Sequence, residues 1–173
     1  MILAVDVHYP GNGTATAAGV MFKDWHSDTV EQIVTHHVEQ VAPYRPGFFF
    51  ERELPCILAL MAKLDTGPEV VIIDGYVWLG TDHRPGLGAH LHVALRGALP
   101  VIGVAKTRFH ETPPGAEVIR GLSARPLFVT AVGIDAETAK NSVRSMHGQF
   151  RTPTMLSIVD RACRHAIQVS EGT

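Results

Sequence analysis

The ten residues VVIIDGYVWL (70–79) constrain the fold more than any other stretch of the chain. Four β-branched residues in a row, Val70 to Ile73, suit a strand buried on both faces, where Asp is strongly depleted. The run stops at Asp74-Gly75, so a carboxylate stands where the strand leaves the sheet. In open α/β sheets, sites form outside the carboxyl ends of strands. The first question is therefore whether Asp74 has company.

The flanking segments read as an α/β protein. MILAVDVHY is an apolar strand with Asp6 near its end, PGNG (10–13) a turn, and TATAAGVMF a second strand, together a hairpin. The β-branched content of DTVEQIVTHHV favours a third strand over a helix. ERELPCILALMAKL carries a helical stripe at Leu54, Ile57, Leu58, Met61 and Leu64, with Pro55 expected in the first turn. After the 70–74 strand and a Gly-rich loop, GLGAHLHVALRGA reads as a helix, and LPVIGVAK and PLFVTAVG as strands. DAETAKNSVRSMHGQF reads as a helix N-capped by Asp135, and TMLSIVDRACRHAI as the last helix, behind Pro153. The expected class is α/β: a mixed sheet with an antiparallel N-terminal meander, then alternating helices and strands flanking the sheet. A single domain over 1–169 with a frayed tail at 170–173 fits the length and the absence of a linker.

Composition narrows the function. Hydrophobic residues make up 46% and charged residues 18%, as in a folded soluble chain, and no apolar run is long enough to span a membrane. Cys56 and Cys163 give no disulfide framework or metal spacing and read as reduced core thiols of a cytoplasmic protein. A formal charge of −2 argues mildly against non-specific coating of nucleic acid, although a local basic cleft would not show in the sum. The ten histidines, His36-His37 and His90-x-His92 among them, lack the facing geometry of a zinc site. No Gly-x-Gly-x-x-Gly or Walker loop follows any strand. A monomer is the default expectation.

Four acids stand at element ends or on helices: Asp6, Glu53 in the first turn of its helix, Asp74 and Asp160. Carboxylates pushed together repel unless a cation holds them, and hard oxygen donors suit Mg²⁺ or Mn²⁺. Each also has a bland reading: a turn opener at Asp74-Gly75, a turn cap at Asp6, a helix N-terminal acid at Glu53. From spacing alone both readings stand.

Five segments in order, AVDVHY, PYRPGFFFERELP, IIDGYVWLGTDHRPGLGAHL, PVIGVAKTRF and FRTPTMLSIVD, resemble the endonuclease V family over most of the chain. The resemblance implies a ribonuclease H-like fold and a Mg²⁺-dependent endonuclease, with Mn²⁺ able to substitute, that nicks DNA or RNA beside inosine, a deaminated adenine. It implies metal ligation by Asp6 and Asp74, with Glu53 and Asp160 completing the acidic set, and Lys106 placed at the phosphate. It also implies a strand-prying wedge at Tyr44. Arg45, Gly75, Tyr76, His83, Arg84, Gly86, His90 and Arg108 are the further positions expected near nucleic acid, His90 either lining the cavity or packing beneath it. Backbone N–H groups at Gly75, Gly80, Gly86 and Gly88 would bond the edge of a flipped base. Arg84, Lys106, Arg108, Arg120, Arg125 and Arg151 are the expected phosphate contacts.

The chain departs from the family pattern in places. Tyr76 stands where the family has histidine, one residue is inserted in 77–81, the segment after Lys106 is short, and VGID lacks a histidine after Val-Gly. These departures bear on substrate choice rather than on hydrolysis. Two alternatives stay open: a ribonuclease H-like nuclease without inosine preference, and a catalytically weak nucleic-acid-binding relative.

Overall fold

The structure, a computed structural model, describes residues 1–43, 45, 48–109 and 112–165. Tyr44 and the 170–173 tail lie outside the described residues.

Strands β1 (Ile2–His8), β2 (Ala15–Phe22) and β3 (Gln32–Val38) form the expected meander. Helix α1 (Phe50–Met61) leads to β4 (Val70–Asp74), a two-strand ribbon of β5 (Trp78–Leu79) and β6 (Arg84–Pro85), and α2 (Leu87–Ala94). Then come β7 (Val101–Ala105), β8 (Glu117–Val118), β9 (Leu127–Val132), α3 (Ala136–Ser145) and α4 (Thr154–His165). Among the described residues seven strands form one mixed sheet in the order β3-β2-β1-β4-β7-β9-β8. β1 pairs antiparallel with β2 and parallel with β4, and β4 pairs parallel with β7.

The period-two rule sorts the central strands into two apolar layers. Leu3, Val5, Val71 and Ile73 pack with Ile57, Leu60 and Leu91 of α1 and α2. Ile2, Ala4, Ile72, Ile102 and Val104 pack with Val143, Met155 and Val159 of α3 and α4. Residues 70–73 are buried, as a strand covered on both faces must be. Cys56 and Cys163 are buried and free, one in each layer. Among the described residues no helix is long and apolar enough to cross a membrane.

Several boundaries differ from the sequence expectations. Helix α1 begins at Phe50, so Pro55 lies in its second turn rather than its first. The Gly-rich loop after Asp74 folds partly into the β5–β6 ribbon, and β8 adds an edge strand; two-residue ladders leave no periodic trace. Helix α3 stops at Ser145 instead of running to Phe150. The carbonyls of Met146, Gly148, Phe150 and Arg151 all accept from the guanidinium of Arg120, which pulls this stretch out of the helical path.

Candidate active site

The register of the central strands brings the acids together. β1 and β4 run in step from Ile2↔Val70 to Val5↔Ile73, and Asp6 and Asp74 are the residues that directly follow the last paired rung. By alternation Asp6 continues the Ile2–Ala4 row and Asp74 the Val70–Ile72 row, both on the α4 side of the sheet. On β7 the row Ile102–Val104 leads to Lys106. Asp6, Asp74 and Lys106 line one small pocket with Thr152, Leu156 and Val159. Asp160 reaches the same corner from α4, 3.9 Å from the Lys106 ammonium, which donates to Asp74 Oδ2 at 2.9 Å.

The turn after Asp74 depends on two glycines. Gly75 has φ +136°, a conformation that L side chains rarely adopt. Gly103 of β7 lies beneath it: a Cβ there would come within 2.5 Å of the Gly75 carbonyl and 2.9 Å of the Val77 nitrogen. The Val77 N–H donates to Thr130 Oγ1 at 2.8 Å and fixes the turn on β9.

Charge is concentrated here beyond what the surrounding protein solvates. Burial pushes the Asp6 carboxyl up to about 6, and the Asp74 charge adds to it, against the Val7 N–H that donates to Asp6 Oδ1 at 2.8 Å. Glu53, only 7% exposed on α1, is held well above its ordinary 4.5 by burial and then by the fields of Asp6 and Asp74. Burial also acts on Asp160, but the Arg164 hydrogen bond and the Lys106 and Arg164 charges outweigh it and hold that carboxyl low. Burial pulls Lys106 down; its hydrogen bond to Asp74 and the charges of Asp74, Asp160 and Asp6 more than reverse this.

Glu53 gives a direct test of this electrostatic load. A carboxyl whose folded pKa is raised costs the folded state nothing below its unfolded value and progressively more as pH rises above it. Glu53→Gln is therefore expected to melt higher than wild type at pH 7.5 in metal-free buffer, with the difference vanishing near pH 4. Thermal melts at the two pH values check it; a lower melting temperature at pH 7.5 would contradict the reading.

The donor set fits a hard divalent cation. Among the described residues no three Asp, Glu, His or Cys side chains close into a ready-made metal cage. Instead, two aspartates stand at adjacent strand ends, Asp160 meets them from α4 beside Lys106, Glu53 on α1 feels the charge of both, and these four acids offer hard oxygen donors. Asp6 and Glu53 are both raised by burial and by neighbouring acid charge, so added positive charge at this corner relieves both. This is the chemistry that suits Mg²⁺ or Mn²⁺.

The remaining expected residues are dispersed around this corner. The Tyr76 hydroxyl donates to the Thr107 carbonyl at 2.9 Å, lies 3.0 Å from Thr112 Oγ1, and accepts from the Phe109 N–H. The tyrosine thus ties the turn after Asp74 to the segment after Lys106. His90 stacks on Phe50 at 3.6 Å between centroids, and burial holds its pKa down. The Gly75, Gly86 and Gly88 N–H groups donate to the carbonyls of Val104, Val77 and Tyr76. The base-edge bonds expected of these three N–H groups are already used inside the chain. Close packing accounts for Gly86 and Gly88, where a Cβ would meet Tyr76 O at 2.6 Å and Val77 Cγ2 at 2.5 Å.

His83, at φ +54° in the β5–β6 turn, meets the Trp78 ring edge-on, and Arg84 is exposed on β6. Arg45 pairs with Glu51 at 3.0 Å and covers the Phe48 ring. Arg108 pairs with Glu117 over the Phe128 ring. Two expected phosphate contacts have another role. Arg120 is 4% exposed and donates to carbonyls, and Arg151 donates to the carbonyls of Lys106 and Pro126. Thr152, missed in the sequence, lines the pocket because Pro153 and the start of α4 follow it directly.

A mixed sheet of this order, helices on both faces and a parallel β1-β4-β7 centre, places the chain in the ribonuclease H-like class of folds. The Endonuclease V family model matches residues 1–125. An Endonuclease V of Nocardia farcinica is 32% identical over 192 residues, covering 99% of this chain and 83% of that protein. The crystal structure of the Streptomyces avermitilis Endonuclease V superposes with a TM-score of 0.77 at 30% identity, covering 99% of this chain and 82% of that one. The catalytic domain of human Endonuclease V gives a TM-score of 0.79 at 25% identity, over 98% and 82% of the two chains. The chain belongs to the endonuclease V family, nucleases that hydrolyse phosphodiester bonds.

Proposed function

We propose that this chain is a Mg²⁺-dependent endonuclease that cuts one strand of DNA or RNA beside inosine, with Mn²⁺ able to replace Mg²⁺. The observation that carries the reading is the shared pocket of Asp6, Asp74 and Lys106 at adjacent strand ends in a member of this family. Structures of the Ciona intestinalis Endonuclease V hold DNA containing an inosine followed by a ribo-adenosine. That substrate class is extended here to this chain.

Asp6 and Asp74 would hold the ion, with Glu53 and Asp160 beside them. When bound, such an ion polarises a phosphoryl oxygen and supplies a strong nucleophile near neutral pH. The protein's own groups do the positioning. Lys106 offers a compact ammonium to a phosphate oxygen, exchanging its bond to Asp74 for one to substrate. The Val7 N–H fixes one oxygen of Asp6, and Arg164 holds Asp160 at 3.1 Å, so neither carboxylate is free to swing away. Tyr76 braces the Asp74 turn against the Lys106 segment. The altered base must leave its stack to be read. Tyr44, Arg45, Tyr76, His83, Arg84 and Arg108 are the residues proposed around it, with Gly75 and Gly86 shaping the backbone turn there rather than bonding the base, and His90 packing beneath the site. Phosphate binding would weaken steeply with salt.

A panel of matched DNA and RNA oligonucleotides, with and without one inosine, tests the reading in Mg²⁺, Mn²⁺ and EDTA. The inosine strands are expected to be cut in either metal and to survive in EDTA. Equal cutting of the unmodified strands would favour a nuclease without base preference. Binding without cutting would leave only a nucleic-acid-binding relative.

A further inference from the structure

The stretch between α3 and α4 presents an aromatic ring to solvent on an unusually well-tied backbone. Phe150 is 70% exposed, and Leu122 beside the same groove is 87% exposed. Isolated surface apolar residues are ordinary. Here, however, the ring is carried by a segment held from several sides. The buried Arg120 guanidinium donates to the carbonyls of Met146, Gly148, Phe150 and Arg151. The Leu122 N–H donates to the Gln149 carbonyl at 3.0 Å, and a Cβ on Gly121 would fall 2.2 Å from that carbonyl oxygen. The next residue, Arg151, donates to the Lys106 carbonyl, tying the segment to the strand end that carries the pocket lysine.

The surface around the ring is continuous with the active site. One groove contains Lys106, Asp160, Thr152, Ser157 and Phe150. A second shares Thr152, Ser157 and Phe150 with it and continues to Leu122. A strand whose phosphate lies at Lys106 must leave the pocket along the protein surface, and this path offers hydroxyls for the backbone and a fixed ring face for a base. We propose that Phe150 is a stacking platform for an unpaired base of the substrate strand close to the cut phosphate, with the Thr152–Ser157 groove tracking the intervening backbone. The proposal rests on the nuclease reading of the pocket and adds to it the path of one flank of the strand. Stacking of a base on an aromatic side chain tolerates every base, because each has a π-face. The contact would therefore add affinity without sequence preference.

The test is binding of a fluorescent single-stranded inosine oligonucleotide in EDTA, where no cutting competes. Phe150→Ala is expected to weaken binding by about tenfold. Phe150→Trp restores it, whereas Phe150→Leu stays weak, because a flat ring rather than apolar bulk is required. Replacing bases one at a time by abasic sites should then find one position near inosine whose loss weakens wild type but not Phe150→Ala. Exposure of the ring makes all three variants compatible with folding, and their melting temperatures should match wild type. Wild-type affinity in Phe150→Ala, rescue by Leu as good as by Trp, or abasic losses identical in wild type and Phe150→Ala at every position would overturn the proposal. So would a dimer broken by Phe150→Ala with oligonucleotide binding unchanged, which would make the patch a self-association surface. Cutting in Mg²⁺, measured separately on wild type, reports on the nuclease reading alone.

Discussion

Asp74→Asn is expected to lower cleavage of an inosine strand by more than about 100-fold while leaving the melting temperature near that of wild type. Removing a group that merely supports a metal ligand costs about 10–100-fold, and Asp74 is proposed as a ligand itself. Its oxygen lies at the end of β4, next to the strand that carries Asp6, and the two aspartates share a pocket with Lys106. Asn keeps the shape but replaces one anionic oxygen by an NH₂ donor that repels a cation. The fold should hardly notice. The Lys106–Asp74 pair is 38% exposed on each side, and half-exposed ion pairs contribute little to stability. Its loss also relieves Asp6 and Glu53 of a neighbouring charge. Steady-state cleavage and a thermal melt on the same preparation check both halves. Retained turnover in Mg²⁺ would end the proposed role of this carboxylate, and a collapsed melt would make it structural.

Arg120→Met should be the most damaging single change outside the acidic set, lowering stability by about 3–5 kcal/mol. The guanidinium is 4% exposed and satisfies four backbone carbonyls of residues 146–151. Methionine fills much of the volume but leaves those carbonyls without a donor. For a chain of this size each kcal/mol moves the melting temperature by about 2–4 °C, so a fall of about 10 °C is expected. The buried Arg120 Nε has no partner among the described residues, a cost that the substitution removes and that keeps the loss toward the lower end. Because Arg151 links the same segment to the Lys106 carbonyl, cleavage at 25 °C should also drop. A melting temperature within 2 °C or so of wild type would show that the carbonyls find other partners, contrary to this account.

The two arginines show why the sequence revealed the fold better than the site's surroundings. Strands 2–8, 15–22 and 70–74 are legible because burial writes itself as apolar runs and alternation. Nothing local says that Arg120 is buried or that Arg151 faces carbonyls. Arginine is mostly exposed, and expecting a phosphate contact follows that habit. The same blindness covers β8, the β5–β6 ribbon and the early end of α3, all set by partners far along the chain. Asp6 and Asp74 stood at strand ends on the sequence alone, but their adjacency depends on β1 lying next to β4, a long-range pairing. Nothing local to Gly86 and Gly88 separates a base contact from the packing of a helix N-terminus. The carbonyls of Tyr76 and Val77 resolve that choice toward packing.

The most direct measurement is a Mn²⁺ titration followed by electron paramagnetic resonance, in which free ion gives a sharp signal and bound ion a broadened one. Loss of free signal with wild type, and its persistence with Asp74→Asn and with Asp6→Asn, is the predicted pattern. If the three proteins take up the ion alike, or none does, these carboxylates do not gather around a divalent cation.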